Sequence, residues 1–213
     1  MSEYFVVEAP PMGGASHFGT AIWEKLVEFA ALLGREGELR GLIGPRELQR
    51  LWSRHILNST AILGDLPEKG DLADIGAGAG FPSVVIAAAR PELRVIAIET
   101  MARRAKWLEY VARELQLSNL KVINDRAESL HGQQRFSFVT ARAVAPLNKL
   151  IGWAMPLVHS GGSLLAFKGA KAETEIDVAA EELRRFRAAW VDIHEREVWG
   201  SGEATRIVEI RKL

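Results

Sequence analysis

The stretch Asp74-Ile75-Gly76-Ala77-Gly78-Ala79-Gly80-Phe81-Pro82 follows the apolar residues Leu72 and Ala73 and runs into the apolar segment Val84 to Ala89. A strand that ends in glycines and turns into a helix is the ligand-binding corner of a doubly wound α/β sheet. Glycine has no Cβ, so a ligand can lie against the backbone and φ can be positive. The helix start adds free N–H groups for a polar ligand. A dinucleotide fingerprint needs a glycine three residues after the second one. Phe81 holds that place, which makes a dehydrogenase a distant reading.

The third glycine comes early, at Gly80, and an acid, Asp74, stands just before the loop. This form resembles the S-adenosylmethionine (SAM) loop of Rossmann-like methyltransferases. It makes Asp74, Gly76, Gly78, Gly80 and Phe81 candidate cofactor-binding residues, against the plainer reading of a tight turn. The next strand, Arg94 to Ile98, ends at Glu99 and Thr100, with Glu99 23 residues after Gly76. In these folds an acid at the end of the second strand accepts hydrogen bonds from ribose hydroxyls. Glu99 could equally cap the helix that starts at Thr100.

Length and composition narrow the class. A chain of 213 residues suits one domain with an extension: an N-terminal helical extension over 1–67 and a Rossmann-like domain over 68–213, expected to form one compact unit. Lysine plus arginine equals aspartate plus glutamate, 27 each, which argues against coating nucleic acid by bulk charge but not against a local basic face. There is no cysteine, so disulfides, cysteine metal sites and thiol nucleophiles are excluded. No metal is expected. Met1 to Pro11 lacks a basic start followed by an apolar run, so a signal peptide is not expected, and no apolar stretch suits a membrane span. The expected compartment is the cytoplasm.

Along the chain, Phe18, Ile22, Leu26, Phe29 and Leu33 recur at helical spacing and predict a helix over 16–33, after a loose start through Gly14. Pro45 opens a second helix through about Thr60, with Leu48, Leu51, Trp52 and Ile56 as its apolar stripe and Arg46, Arg50 and Arg54 on another face. Strands are expected at 71–76, 94–99, 120–124, 136–141 and 162–167, and helices at 82–89, 101–116, 146–158 and 173–188. This alternation implies a parallel sheet covered on both faces. Val191–Val198 and Arg206–Lys212, joined by Gly200-Ser201-Gly202, add a C-terminal antiparallel hairpin, giving seven strands.

Asn124-Asp125-Arg126-Ala127-Glu128 follows the third strand, where a carboxylate and backbone amides could hold an adenine edge; solvated loop residues would look the same. Thr140-Ala141-Arg142-Ala143 and Lys168-Gly169 end the fourth and fifth strands, on the edge where ligands bind. Arg142 is a candidate donor to the cofactor, target base or phosphate, or else an ion-pair partner of Asp125 or Glu128. Lys168 is its neighbour in a candidate catalytic pair, or a surface lysine. Arg46, Arg50 and Arg54, with His55 nearby, could bind phosphates or form a solvated helix face. Arg103, Arg104 and Lys106 open a helix, where cations oppose the dipole, so a compensating contact such as RNA is a reading for them. Trp52, Trp107 and Trp153 read as core.

These pieces together resemble the bacterial methyltransferase of small-subunit ribosomal RNA, type G, also called glucose-inhibited division protein B. The resemblance covers about residues 41–175, on Leu42-Ile43-Gly44-Pro45, Leu51-Trp52-Ser53-Arg54-His55-Ile56, Asp74 to Pro82, Arg126-Ala127-Glu128, Thr140-Ala141-Arg142-Ala143 and Lys168-Gly169. It implies a class I SAM-dependent enzyme that methylates the 7-position ring nitrogen of a guanosine in 16S ribosomal RNA. A monomer acting within the small subunit or an assembly intermediate is the expectation for its partners. By the same resemblance Gly76 and Phe81 contact the cofactor, Ala127 and Glu128 hold its adenine end, and Arg142 is a further contact. The chain departs from the family pattern at Gly41, where asparagine is usual, and at Asn58, where aspartate is usual. A SAM enzyme acting on a small molecule and a non-catalytic nucleotide-binding protein are the alternatives.

Overall fold

The computed structural model describes residues 7–213. Its centre is a seven-stranded sheet of β1 (Gly70–Ile75), β2 (Leu93–Ile98), β3 (Leu120–Ile123), β4 (Phe136–Arg142), β5 (Val158–Lys168), β6 (Ala188–Val198) and β7 (Glu203–Lys212), in the order β3-β2-β1-β4-β5-β7-β6. The first five strands run parallel, and β7 is antiparallel to both β5 and β6. The expected hairpin is present, and its second strand enters between the first and the sheet.

Successive strand residues point to opposite faces. Val95, Ala97, Leu165 and Phe167 join one buried cluster, and Ile96, Ile98, Leu164 and Ala166 the other. The first face is covered by α5 (Ser83–Ala89), α6 (Ala102–Glu114) and the N-terminal helices; the second by α7 (Leu147–Ala154), α8 (Ala172–Val178) and α9 (Ala180–Arg185). Leu26, Phe29 and Leu33 of α2 (Thr20–Glu36) and Trp52 pack in the same cluster as Val84 of α5 and Trp107 of α6. Burying one such side chain contributes about 1.5–3 kcal/mol, so the N-terminal helices are part of the same core as the crossover helices.

Several expected helices are broken. Part of the expected loose segment, residues 1–6, lies outside the described residues, while Gly14 opens α1 (Gly14–Phe18). Gly19, at φ 86° and ψ 145°, separates α1 from α2. The helix expected from Pro45 to Thr60 is three pieces: α3 (Pro45–Leu48), a π-helical turn over Leu51–Ile56, and α4 (Leu57–Thr60), followed by a 3-10 turn over Ala61–Asp65. Arg50, at φ −129° and ψ 25°, makes the break. The restart is capped from a distance: the Glu8 carboxylate accepts the backbone N–H groups of Trp52 and Ser53 at 2.7 and 2.9 Å. The helix expected over 173–188 is two, α8 and α9, parted at Ala179; it stops after Arg185, and its last residue, Ala188, opens β6. Among the described residues no helix is long and apolar enough to cross a membrane.

Candidate functional site

The glycine loop is held in shape before any ligand arrives. Gly76, Gly78 and Gly80 have φ of 69°, 57° and 114°, values that side-chain-bearing residues adopt at a cost. A Cβ at Gly76 would stand 2.8 Å from Val144, and one at Gly80 would meet Val84 at 2.6 Å. Three side chains tie the loop down. The Gly78 N–H donates to Glu99 Oε2 at 2.9 Å, the Trp107 indole donates to the Ala79 carbonyl at 3.0 Å, and the Ser83 N–H donates to Asp74 Oδ2 at 3.1 Å. Trp107 is therefore core, as its spacing suggested, and also the floor of the loop.

Asp74 and Glu99 divide the two acidic roles. Asp74 has no solvent exposure and lines none of the cavities described below. Its second oxygen has no partner among the described residues, and burial pushes its carboxyl up to about 7 against the Ser83 bonds. It is a strut under the loop. Glu99 also accepts the N–H of Met101, the residue that precedes α6, at 2.8 Å, so it fixes the entry to that helix while holding Gly78. Glu99 is buried and lines neither small cavity described below, and its Oε1 also lies 3.5 Å from the Thr100 hydroxyl, so Oε2 is the oxygen with a lone-pair direction left for a ribose contact.

The predicted adenine-side residues gather. Thr100, Asp125, Ala127 and Glu128 line one cavity of about 310 Å³ with Ile75, Gly76, Val144 and Trp153. Asp125 accepts hydrogen bonds from the Ser129 hydroxyl and the Arg126 N–H, which hold its carboxyl below the usual range. Asn124 bridges the ends of β2 and β3, donating to the carbonyls of Glu99 and Thr100. Trp153 is half-buried and walls this cavity, whereas Trp52 and Trp107 are fully buried.

A second cavity of about 210 Å³ lies across the loop, between Gly76–Ala79, Phe81, Arg104, Arg142 and the N-terminal residues Leu42, Ile43 and His55. Arg142 pairs with neither Asp125 nor Glu128. Its Nη1 donates to the His55 carbonyl and the Ser59 hydroxyl, both at 3.2 Å, and its Nη2 to the Arg54 carbonyl at 2.9 Å and to His55 Nδ1 at 2.8 Å. All four terminal N–H groups are thus committed to the N-terminal segment, leaving Nε–H. Burial and the Arg54 charge pull this guanidinium down to about 10, so it stays charged at neutral pH. Lys168 is equally committed, donating to the Ala145 carbonyl at 2.8 Å and pairing with Glu175 at 2.7 Å. It is a buried tie between the loop after β4 and α8.

Sequence reasoning missed His55 as a site residue. Its Nε2 donates to Glu47 at 2.8 Å while Nδ1 accepts from Arg142. Its ring stacks on Phe81 with centroids 5.1 Å apart, and Arg142 lies 5.6 Å from the same ring. Burial, seconded by Arg142, lowers its pKa to about 4. The signal was present in the Arg54-His55 pair, but its partners lie 8 and 87 residues away.

The third space is an open cleft of about 800 Å³ beyond Arg142, Ala143 and Val144. Its walls carry five cations (Arg50, Arg54, Arg142, Lys168, Arg206) against three carboxylates (Glu175, Glu195, Glu203), and include Asn58. Ala143 turns the chain there with φ 55°, a conformation that costs a non-glycine residue about 1–2 kcal/mol. Gly41 has φ 61°, a value that glycine and asparagine share.

The strand order, the glycine corner and the acid after β2 are those of a class I SAM-dependent methyltransferase. Solved structures agree on the fold: a precorrin-6y C5,15-methyltransferase from Geobacter metallireducens (TM-score 0.54, 16% identity, 81% of this chain and 91% of that one) and a ribosomal protein L11 methylase from Lactobacillus delbrueckii (0.54, 15%, 74% and 77%). The family model for rRNA small subunit methyltransferase G matches residues 22–195, and the chain belongs to that family. Relatives named ribosomal RNA small subunit methyltransferase G include one from Beutenbergia cavernae, 50% identical over 185 residues (87% of each chain), and one from Clavibacter michiganensis, 42% identical over 214 residues (99% of each).

Proposed function

We propose that the protein transfers the methyl group of SAM to the 7-position ring nitrogen of a guanosine in 16S ribosomal RNA. One observation carries the reading: the three spaces meet. The two smaller cavities share Gly76, and both border the basic cleft, one through Val144 and the other through Arg142 and Ala143. A donor lying across Gly76 would face an acceptor entering from the cleft.

The residues present fit the cofactor. A side chain at Gly76, which lines both small cavities, would clash with Val144, and one at Gly80 would clash with Val84 and Phe29 in the core beneath the loop, so glycine keeps bare backbone beside the space at Gly76 and close packing below it at Gly80. Thr100, Asp125, Ala127 and Glu128 would take its adenine end, Glu99 its ribose, and Gly76, Gly78, Gly80 and Phe81 its sulfur and amino-acid end, with Asp74 supporting the loop from below. Bound SAM supplies a methyl group on a positively charged sulfur.

The chain's own residues supply alignment, which can contribute several kcal/mol and at best about 7–11. Guanine's 7-nitrogen carries a lone pair and no proton, so no general base is required. The geometry agrees with that economy: His55 is held neutral with both ring nitrogens engaged. Arg142 and Lys168 act as positioning residues. Arg142 clamps the N-terminal segment over Phe81, and Lys168 fixes the loop 143–146 that borders the cleft. Arg50, Arg54 and Arg206 would meet RNA phosphates. The zero net charge makes the basic cleft the local exception and favours a substrate that offers further contacts, the assembled small subunit or a late assembly intermediate. The protein acts there as a monomer.

Labelled methyl transfer from SAM to small subunits and free 16S RNA, both from cells lacking this enzyme, tests the reading. Label recovered as 7-methylguanosine is expected, and the better acceptor tells whether assembly matters. Tight SAM binding with no label in either RNA would overturn it.

A further inference from the structure

The two cavities that meet at Gly76 differ in charge. The one at the ends of β1 to β3 carries Asp125 and Glu128 beside Arg126, with acceptors suited to hydroxyls and an amine. The one under Leu42 and Ile43 carries two guanidiniums, Arg104 and Arg142, and no carboxylate. An uncompensated pair of cations in a space of about 210 Å³ suits an anionic group, because a charge-assisted hydrogen bond is roughly twice as strong as a neutral one.

The two cations are not equivalent. Arg142 has spent its four terminal N–H groups on residues 54–59, and His55 has spent both ring nitrogens. Arg104 makes no side-chain hydrogen bond or ion pair among the described residues, and its Nε is buried without an acceptor. A buried donor left unmade costs about 1–3 kcal/mol. Arg104 also sits in the first turn of α6, where the helix dipole disfavours a cation. Its neighbour Arg103 carries the same penalty but is exposed to solvent; Arg104 is half-buried against the cavity. The fold thus keeps one guanidinium in an unfavourable place with its donors unspent.

We propose that Arg104 binds the carboxylate at the methionine end of the cofactor, and so sets which way SAM lies across Gly76. This rests on the SAM reading above. The adenosyl end occupies the acid-bearing cavity, the amino-acid end occupies the Arg104 cavity, and the sulfur sits between them beside the opening to the cleft. Arg104 is a binding residue here, with no part in moving protons.

The test is calorimetric and needs no turnover. Wild-type protein, Arg104→Met and Arg104→Lys are each titrated with S-adenosylhomocysteine and with 5′-methylthioadenosine, which lacks the carboxylate and amine. Arg104→Met is expected to weaken S-adenosylhomocysteine roughly ten- to a hundredfold, to leave methylthioadenosine unchanged, and to be partly rescued by Arg104→Lys. Unchanged methylthioadenosine binding also certifies the fold of the variant. Equal weakening of both ligands, or of neither, overturns the proposal. So does an Arg104→Met protein that keeps both affinities and loses only binding of 16S RNA, which would give the cation to phosphate. Wild-type protein that binds neither ligand overturns the SAM reading itself, a separate failure.

Discussion

The two sides of the Gly76 junction are built by different means. The adenosyl side comes from the ends of β1, β2 and β3, whose backbones are laddered to one another. It is closed by short-range contacts such as Asn124 to Glu99 and Asp125 to Ser129. The opposite side is a borrowed wall: Leu42, Ile43 and His55 come from the N-terminal segment, with Ile43 packed in the core and Arg54, His55 and Ser59 tied to the end of β4 by Arg142. The first side is rigid because the sheet is. The second rests on side-chain packing and one guanidinium cluster, so it is where stability and transfer should be most tightly coupled.

Removing that cluster is the hardest test of the comparison. Arg142→Ala leaves the carbonyls of Arg54 and His55 and the Ser59 hydroxyl without their donor. The expected loss is about 2–4 kcal/mol in urea unfolding. A fall of at least roughly a hundredfold in kcat/KM for methyl transfer goes with it, because small misplacements can cost that much. Arg142→Lys should rescue little, since an ammonium has three donors and cannot span four acceptors. A normal rate with normal affinities in Arg142→Ala would remove the arginine from the mechanism.

The two sides should also respond to acid with opposite signs. The fold lowers the pKa of His55 from 6.5 to about 4 through burial and Arg142. The unfolded ring takes up a proton below about 6.5 and the folded ring does not, so stability is lost as pH falls from about 6.5 to about 4. The fold raises Asp74 from 3.8 to about 7 through burial. The unfolded carboxyl ionises above 3.8 while the folded one stays neutral, so stability is lost as pH rises from about 3.8 to about 7. Each effect is of the order of 3 kcal/mol, and they offset each other through the shared window. Relative to wild type, Asp74→Asn should lose stability toward pH 4, and His55→Gln should gain it. Urea midpoints at pH 4.5 and 7 read both, and parallel shifts in the two variants would refute the assignment.

What could be read in the sequence follows the same division. Strand positions were legible within a few residues because each is an apolar run closed by a glycine, an acid or a turn. The glycine loop, Glu99 and the 125–128 segment lie at strand ends, so their convergence follows from strand order alone. The N-terminal wall was not legible. The periodicity of Leu48, Leu51, Trp52 and Ile56 is equally good in one helix or three pieces. The break at Arg50 depends on Glu8 capping Trp52 and Ser53 from 44 and 45 residues away, which no local pattern encodes. For the same reason Arg142 read as a donor to a ligand or a partner of Asp125 or Glu128, and Lys168 as a catalytic candidate or a surface lysine, although the donors of both are taken by other parts of the chain.

Gly76 sits on the seam, and a methyl group there should disturb both sides. Gly76→Ala meets φ of 69° and a Val144 methyl at 2.8 Å, so about 1–2 kcal/mol of strain is expected, with SAM binding weaker by about tenfold at the upper end. Adding Val144→Ala should return part of the affinity by removing the clash and leaving the φ cost. Gly78→Ala is the control: φ is 57°, but the nearest atom to the new Cβ is a carbonyl oxygen at 3.6 Å, so only the backbone cost applies. Full recovery in the double variant would show that the loop tolerates left-handed alanine.

The smallest effect belongs to the rim of the borrowed wall. Arg50 pairs with Glu203 at 3.1 Å, with both side chains about half exposed. Such pairs contribute about 0–1 kcal/mol, so Arg50→Ala should barely move the urea midpoint and leave SAM affinity alone. Arg50 nevertheless faces the cleft, and a phosphate contact there shows in the salt dependence of RNA binding. Arg50→Ala should reduce that slope by about one, and Glu203→Gln should tighten RNA binding by freeing the guanidinium. An unchanged slope in Arg50→Ala would turn the Arg50–Glu203 pair into a plain surface tie between the N-terminal segment and the C-terminal hairpin, and would move the RNA track to Arg54 and Arg206.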